Sequence, residues 1–299
     1  MGLSQQELDA FERDGWVGPF DLFEPAVAAR LLSRIRAEVI PVRCEIYAHT
    51  RGELEFVDYK RDRHLDSPLA FRIASAPEIV SRASSLLGPD VLLWRSDAFE
   101  QGIGDPATAP HQDGAFEATR RTHPLIEAGE GQQAVAHQTD PFDVRIPLSI
   151  GAWITLTPVT KKRGSLWVVP GTHKELITEV PGEGFAGMKT VPSRHFEPSD
   201  GHAIEIEAGQ FILFHNLVVH GSYPVEEGRR FAWTTRYVST ETRIHPRSTI
   251  NAQGQDLSRW GAVLVSGQDR ARRNVMRAPP AISNASILEE RALAHATAG

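Results

Sequence analysis

The first part of the chain has apolar positions at helical spacing. A capping box of Ser4 and Glu7 predicts a short helix that ends near Gly15. A second helix is predicted after Pro25, where four apolar residues fall on one face: Val27, Leu31, Ile35 and Val39. A third helical region is predicted for Ser67–Leu87.

Beyond this part, the apolar runs become short and rich in β-branched and aromatic residues, and Gly or Pro separates them. The runs predicted as strands are Val91–Phe99, Ile150–Thr157, Leu166–Val169, Phe211–Phe214 and Phe231–Val238. No helical pattern lies between successive runs, and strands in this order favour an antiparallel sandwich or barrel.

No internal repeat, low-complexity tract or linker divides the sequence, so we expect a single domain over residues 1–299. Its predicted parts are a helical support at 1–90, a β core at 91–240 and a C-terminal extension at 241–299, with an apolar stretch at Ala262–Ser266 and a final helix near Ile287–Ala294. The polar segment Gly114–Pro147 interrupts the core without a strong period. A connection of this length usually covers a site, and we therefore predict a lid at 114–147.

Composition narrows the class of protein. The chain has 32 basic and 38 acidic residues, a net charge of -6, and no basic run interleaved with aromatics, which argues against nucleic acid as a partner. The first twenty residues include five charged ones and lack the apolar core of a signal peptide, and no apolar run reaches membrane-spanning length. We therefore expect a cytoplasmic protein with no membrane partner. Cys44 is the single cysteine, and a metal must therefore be bound by imidazole and carboxylate.

Two candidate metal ligands lie in one short segment. Residues two apart in an extended chain project to the same side, so His111 and Asp113 can bind one ion while Gln112 points elsewhere. A His-x-Asp pair is common by chance, and alone it is more often a surface or turn pair than a metal site.

A third ligand is available from His215 or His220, which would face opposite sides of a regular strand. We favour His220, because Gly221–Pro224 marks a strand end that opens onto a loop, and we interpret His215 as a core or rim residue. Two imidazoles and one carboxylate, with the remaining positions open, form the facial triad of non-haem iron oxygenases.

The strand after His220 carries arginines on one face. Alternation places four residues on that side: Arg230, Ala232, Thr234 and Arg236. Buried guanidinium groups need an anionic partner, and a dicarboxylate co-substrate would be one. Trp153 and Thr155 share a face of another predicted strand. This face either lines the same polar cavity or belongs to an edge strand that is solvated on one side, and the two interpretations are equally supported.

These segments resemble a known family. Over Leu3–Ala278 the sequence is similar to the phytanoyl-CoA dioxygenase superfamily, and the segments that carry this are Leu8–Phe20, His111–Asp113, Gly209–Phe214, His220–Pro224 and Arg230–Tyr237. The likeness is strongest to the non-haem iron halogenases of carrier-tethered amino acids, through Trp94–Ser96, Val169–Thr172, Gly209–Phe211 and Arg236–Val238. The resemblance implies a mainly β fold with flanking helices, a double-stranded β-helix of the cupin-like jelly-roll kind, and it implies Fe(II), 2-oxoglutarate and O2 as cofactor and co-substrates.

The resemblance also implies roles for individual residues. The implied metal ligands are His111, Asp113 and His220. Arg230 matches the arginine that binds the distal carboxylate of 2-oxoglutarate, and Thr108 and Trp153 match residues that flank the co-substrate. Arg236 matches a second pocket arginine near the open coordination position. No side chain is expected to act as a nucleophile.

Asp113 is a departure from the halogenases, in which a small residue replaces the carboxylate and leaves room for chloride. We therefore predict a hydroxylase that acts on an unactivated C–H bond. The lid holds the candidate substrate residues Phe116, Glu117, Arg120 and Arg121, with His123, His137 and Arg145. Its basic groups would suit a small substrate with a carboxylate or phosphate, such as an amino acid or derivative of secondary metabolism, although a solvated loop is the simpler interpretation of each residue.

Several alternatives stay open at this point. The substrate is either free or tethered to a carrier protein, and the long lid favours the free form. Desaturation, cyclisation and epimerisation start from the same hydrogen abstraction as hydroxylation, and the sequence does not separate them. A non-catalytic cupin-like binding module is the remaining alternative.

Overall fold

The computed structural model describes residues 1–50, 59–113, 126–127, 147–175, 177, 180–181, 189–196, 200–244, 249–250 and 255–281. The helices in this part of the chain are α1 (Gln5–Asp14), α2 (Pro25–Arg34), α3 (Pro68–Ala74) and α4 (Pro77–Leu87). A π-helical turn, Ile35–Val39, continues α2, and 3-10 turns cover Glu45–Tyr47, Arg63–Leu65, Thr172–Lys174 and Ser193–His195.

The start of α1 has the predicted capping box. The Ser4 hydroxyl accepts a hydrogen bond from the backbone N–H of Glu7, and the Glu7 carboxylate accepts one from the backbone N–H of Ser4. Gly15 ends the helix in the left-handed conformation, with φ at 79°. The prediction of this first helix is confirmed.

The third predicted helical region, Ser67–Leu87, is helical in the structure and ends at Gly88, but it contains two helices. The structure divides it into α3, which ends at Ala74, and α4, which starts at Pro77. Proline has no backbone N–H to donate and disfavours helical geometry in the residue before it, so the helix stops ahead of Pro77.

The strands of the described chain are β1 (Trp16–Asp21), β2 (Val91–Gly102), β3 (Ile126–Glu127), β4 (Ile150–Thr155), β5 (Leu166–Val169), β6 (Val180–Pro181), β7 (Lys189–Thr190), β8 (His202–Ile204), β9 (Gln210–His215), β10 (Val219–Ser222), β11 (Arg229–Ser239), β12 (Arg243–Ile244) and β13 (Val263–Ser266). A six-stranded sheet has the order β1-β9-β4-β11-β2-β13, and a three-stranded sheet has the order β10-β5-β8. The paired strands are antiparallel, as predicted.

The six-stranded sheet is covered on one face by the helices and on the other by the three-stranded sheet. Ile79 and Ala83 of α4 pack in one core cluster with Phe231 and Trp233 of β11. A second cluster joins both sheets across the other face through Trp153, Val168, Ile204 and Ile212. The fold is therefore mainly β with flanking helices, and β11 lies in the middle of the large sheet with an inner face toward the small one.

The apolar stretch predicted at Ala262–Ser266 forms β13 at the edge of the large sheet. The final helix predicted near Ile287–Ala294 lies outside the described residues, as does most of the lid at 114–147. Within the described residues, none of the helices has the length and apolar character needed to cross a bilayer.

Candidate metal centre

Three donor side chains converge between the two sheets. Ligand atoms of His111, Asp113 and His220 all lie within 4.8 Å of one another. The Oδ1 atom of Asp113 is 3.7 Å from Nε2 of His111 and 4.0 Å from Nε2 of His220. All three residues are buried, with at most 7% of their surface exposed, so an ion held there would be shielded from bulk water.

Backbone pairing brings the two histidines together across a large separation in sequence. The His111 N–H donates to the carbonyl of His220 at 2.9 Å, and the His220 N–H donates to the carbonyl of His111 at 3.0 Å. Their ring centroids are 4.1 Å apart. This backbone pairing between β10 and the segment before Asp113 therefore fixes the distance between the two histidine side chains.

Each histidine is oriented by its own backbone neighbourhood. The Nδ1 atom of His111 is 2.7 Å from the Ala109 carbonyl, and that of His220 is 2.9 Å from the Val218 carbonyl. A carbonyl only accepts, so each Nδ1 donates a proton and each Nε2 keeps its lone pair. Burial lowers the pKa of His111 to about 3 and also lowers the pKa of His220, so both rings are neutral near pH 7, as metal ligation requires.

Gln112, between the two ligands, points away from them and anchors the segment. Its amide group donates to the carbonyls of Glu175 at 2.8 Å and Leu217 at 2.6 Å, and it accepts from the N–H of Ile177 at 2.9 Å. Gln112 is fully buried. As predicted, Gln112 projects away from the side that His111 and Asp113 share. Its hydrogen bonds anchor this segment to two other loops.

Arg236 lies against Asp113. Its Nε and one terminal nitrogen donate to the two carboxylate oxygens at 3.0 and 3.1 Å, and its other terminal nitrogen donates to Asp97 at 2.9 Å. Burial alone would raise the pKa of Asp113, but Arg236, together with His220 and His111, holds that pKa well below its ordinary value. Arg236 thus acts on the carboxylate ligand directly, whereas the resemblance implied only a place near the open coordination position.

Arg230 lies on the inner face of β11, six positions before Arg236. It is 3% exposed, and its terminal nitrogens donate to the Gly164 carbonyl and to the side chain of Gln101. Its Nε is buried and has no hydrogen-bond partner among the residues that the structure describes, and burial lowers the pKa of Arg230 to about 10. Trp153 is buried on the neighbouring strand opposite Thr234, between the two arginines.

Thr108 precedes the ligand segment and pairs with β10. Its N–H donates to the Ser222 hydroxyl at 2.8 Å, and its carbonyl accepts from the Ser222 N–H at 3.0 Å. A Cβ on Gly221 would lie 2.8 Å from the Thr108 carbonyl, so this close approach requires glycine. Thr108 therefore borders the strand that carries His220.

His215 lies away from the three donors. Its Nδ1 accepts from the Leu217 N–H at 2.9 Å, and its ring centroid is 5.2 Å from that of His173. The lid residues Phe116, Glu117, Arg120 and Arg121, with His123, His137 and Arg145, lie outside the described part of the chain.

Sequence reasoning missed a set of charged residues on β2 and beside it. Asp97 accepts from Arg61 at 2.9 Å as well as from Arg236, and Arg95 lies on the same strand. The available signal was the position of Arg95 and Asp97 at alternate places inside an otherwise apolar strand, because such charges must share a polar cavity.

Comparisons with known proteins agree with this geometry. A sequence profile for the family described as "Phytanoyl-CoA dioxygenase (PhyH)" matches residues 11–231. A phytanoyl-CoA dioxygenase of Arabidopsis thaliana is 31% identical over 118 residues, which are 38% of this chain and 42% of that protein. The chain spans less than two thirds of the length of the curated relatives it matches.

Solved structures match over nearly the whole chain. A structure described as CytC3 with Fe(II) and alpha-ketoglutarate superimposes with a TM-score of 0.70 and 28% identity, covering 94% of this chain and 99% of the other. The epimerase SnoN, in complex with Fe3+, alpha-ketoglutarate and a nogalamycin compound, has a TM-score of 0.59 and 20% identity, covering 94% and 96%. The jelly-roll prediction is confirmed by these folds.

Proposed function

The chain belongs to the phytanoyl-CoA dioxygenase family, and from this premise we propose that it is an Fe(II)- and 2-oxoglutarate-dependent hydroxylase of a small polar metabolite, of the amino-acid class or derived from it. The observation that carries the proposal is the buried group of His111, Asp113 and His220. CytC3, which was solved with Fe(II) and alpha-ketoglutarate, supports the same cofactors here.

The donor set fits a non-haem Fe(II) ion. Two neutral imidazoles with their Nδ1 protons held by backbone carbonyls, and one carboxylate kept ionised by Arg236, are the ligands that such an ion takes. Three protein ligands leave positions for a chelating co-substrate and dioxygen. When bound, Fe(II) and 2-oxoglutarate activate dioxygen to an oxidant that removes hydrogen from an unactivated carbon.

The residues of this chain supply binding and charge. Arg230 is the proposed partner of the distal carboxylate of 2-oxoglutarate, because its buried Nε lacks a partner among the described residues and burial alone lowers its pKa. Thr108 and Trp153 are proposed to flank the co-substrate. Arg236 keeps Asp113 charged and oriented, so that the carboxylate remains a ligand.

Asp113 also favours hydroxylation over halogenation. As the third protein ligand, the Asp113 carboxylate would hold the place that a halide takes where a small residue stands instead. We therefore expect an alcohol as product. Formation of a chlorinated product in chloride buffer would contradict this assignment.

The test is an anaerobic titration of the metal-free protein with Fe(II) and 2-oxoglutarate, followed by the weak visible charge-transfer band of the chelate. We expect the band in the wild type, none in Asp113→Ala, and a requirement for much more 2-oxoglutarate in Arg230→Gln. Arg229→Gln is the matched control, since this neighbouring arginine is exposed and should leave the band unchanged. Absence of the band in the wild type would overturn the proposal in favour of a binding module.

A further inference from the structure

Arg95 lies one strand away from the metal centre. It is the register partner of Arg236 in the antiparallel pair of β2 and β11. Register partners on adjacent strands project to the same face of a sheet, about 5 Å apart at their Cβ atoms. Because Arg236 binds Asp113 directly, Arg95 belongs to the same inner face as the metal ligands.

Arg95 is buried, and its guanidinium forms no hydrogen bond or close ion pair with the residues that the structure describes. It is 7% exposed, and its Nε is among the buried atoms without a hydrogen-bond partner there. Its close contact is the ring of Trp94, 4.8 Å from centroid to Cζ. Burial, and then repulsion from Arg61, lowers the pKa of Arg95, while the more distant Asp62 and Asp97 act in the opposite direction.

The nearby carboxylates are engaged elsewhere. Asp97 accepts from both Arg61 and Arg236. Asp62 accepts from the Tyr47 hydroxyl and, at 2.8 Å, from the N–H of Ser96, and burial raises its pKa. Neither carboxylate forms an ion pair with Arg95.

The carboxylates closest to the metal centre are paired with other arginines. Asp97 pairs with Arg61 and Arg236, and Asp113 pairs with Arg236. The guanidinium of Arg95 therefore has no carboxylate within 4 Å in the described part of the chain.

A buried cation without a counter-ion is costly, and a chain keeps one where a ligand completes the pair. A guanidinium presents parallel N–H groups that match two oxygens of a carboxylate or phosphate. Arg230 is the proposed partner of the co-substrate. It lies on β11 beyond Thr234, as seen from Arg236 and Arg95.

We propose that Arg95 binds an anionic group of the substrate, a carboxylate or a phosphate, and thereby holds the substrate beside the metal centre. The inference rests on the proposed function, in which Arg230 binds the co-substrate. It restricts the substrate to molecules that carry such an anion close to the carbon that is oxidised.

The first test is anion binding to the Fe(II) and 2-oxoglutarate complex under anaerobic conditions. The probes are sodium acetate and methyl phosphate, each replacing sodium chloride at constant ionic strength, and the readout is the melting temperature. In the wild type we expect a saturable rise with at least one probe; a response to acetate assigns a carboxylate and a response to methyl phosphate assigns a phosphate ester. Arg95→Met should lose the rise, and the exposed-site control Arg229→Met should keep it.

The second test needs no anion. Removing an unpaired buried cation should stabilise the protein, so Arg95→Met is expected to melt about 2–4 °C higher than the wild type in chloride. A structural arginine would give a lower melting temperature when replaced. The proposal is overturned if neither probe stabilises the wild type, if Arg95→Met still responds, or if Arg95→Met melts lower.

Failure of the proposed function would look different. The chelate band should form in Arg95→Met as in the wild type, because this residue contacts neither the ligands nor Arg230 in the described chain. If the wild type shows no band, the oxygenase assignment fails, while the same anion titration without Fe(II) and 2-oxoglutarate, compared between the wild type and Arg95→Met, still decides whether Arg95 is an anion site.

Discussion

Arg236, on β11, donates hydrogen bonds to both carboxylate oxygens of Asp113, at 3.0 and 3.1 Å. The neighbouring strand, β2, carries Asp97. The contact links a metal ligand to the middle of the large sheet. A guanidinium has a planar fork that a lysine ammonium lacks, so the pair fixes the plane of the carboxylate as well as its charge. The orientation of this candidate metal ligand therefore depends on a residue more than a hundred positions away in sequence.

Arg236→Lys should weaken metal binding although it keeps the charge. Loss of a group that orients a ligand typically costs 10–100-fold in metal affinity, and we expect a fall of about that size. Titration of the metal-free protein with Fe(II) under anaerobic conditions measures it. The control is Arg229→Lys on the same strand, which is exposed and should bind Fe(II) as the wild type does. Unchanged affinity in Arg236→Lys would show that Asp113 is oriented by other contacts.

Gln112→Leu should lower both the stability of the fold and its metal affinity. The substitution leaves the carbonyls of Glu175 and Leu217 and the N–H of Ile177 without their partner, and each buried polar group left unpaired costs about 1–3 kcal/mol. We expect the free energy of unfolding to fall by roughly 3 kcal/mol or more in urea denaturation. Metal affinity should fall with it, because the ligand segment loses its anchor.

The exposed Gln5 gives a matched comparison for that variant. Gln5→Leu removes a hydrogen bond to Asp9 at the surface, and its effect on unfolding should stay within about 0.5 kcal/mol. If Gln112→Leu were as mild as Gln5→Leu, the three hydrogen bonds of the Gln112 side chain would not stabilise the segment that carries His111 and Asp113.

The choice between two histidines as third ligand is open to a direct experiment. His220→Gln should abolish tight Fe(II) binding, because the Nε2 of His220 is one of the three converging donors. His215→Gln should bind Fe(II) within about twofold of the wild type, since the ring of His215 contacts Phe11 and His173 instead. The reverse pattern would show that the third ligand is misassigned.

How much of this molecule could be predicted from the sequence differs between its parts. The strand Leu166–Val169 has the predicted bounds, and the capping box of α1 is where Ser4 and Glu7 indicated it, because both are local patterns. The break before Pro77 was also a local signal, and it was outweighed by the apolar period on either side.

The site was predictable only in the part that depends on local spacing. His111 and Asp113 share a side because they are two residues apart, but the sequence does not tell which distant group meets them. The contacts of Arg236 with Asp113 and of Gln112 with Leu217 join segments more than a hundred residues apart, and register across the sheets decides them. For Arg95 the sequence shows only a charged residue within an apolar strand. That Arg95 lies beside Arg236 is known only from the pairing of the two strands.

Three buried histidines of the described chain lie outside the metal centre and should make the fold sensitive to acid. Burial lowers the pKa of His64 and of His215 to about 3 and that of His173 to about 4, whereas a histidine in the unfolded chain titrates near 6.5. Between pH 6.5 and about pH 3 the unfolded chain therefore binds more protons than the folded one, so stability falls as the pH falls through this window and is fully present above it.

Each such histidine should contribute a slope of about 1.4 kcal/mol per pH unit well below pH 6. Urea unfolding of the metal-free protein at pH 7.5, 6.0 and 5.0 measures the total, and His215→Gln should reduce the loss between pH 6.0 and 5.0 by about that amount. His195→Gln, at an exposed position, should leave the loss unchanged. An equal loss in the wild type and in His215→Gln would mean that His215 takes up its proton in the folded state, and that the packing around Phe11 and His173 does not keep it neutral.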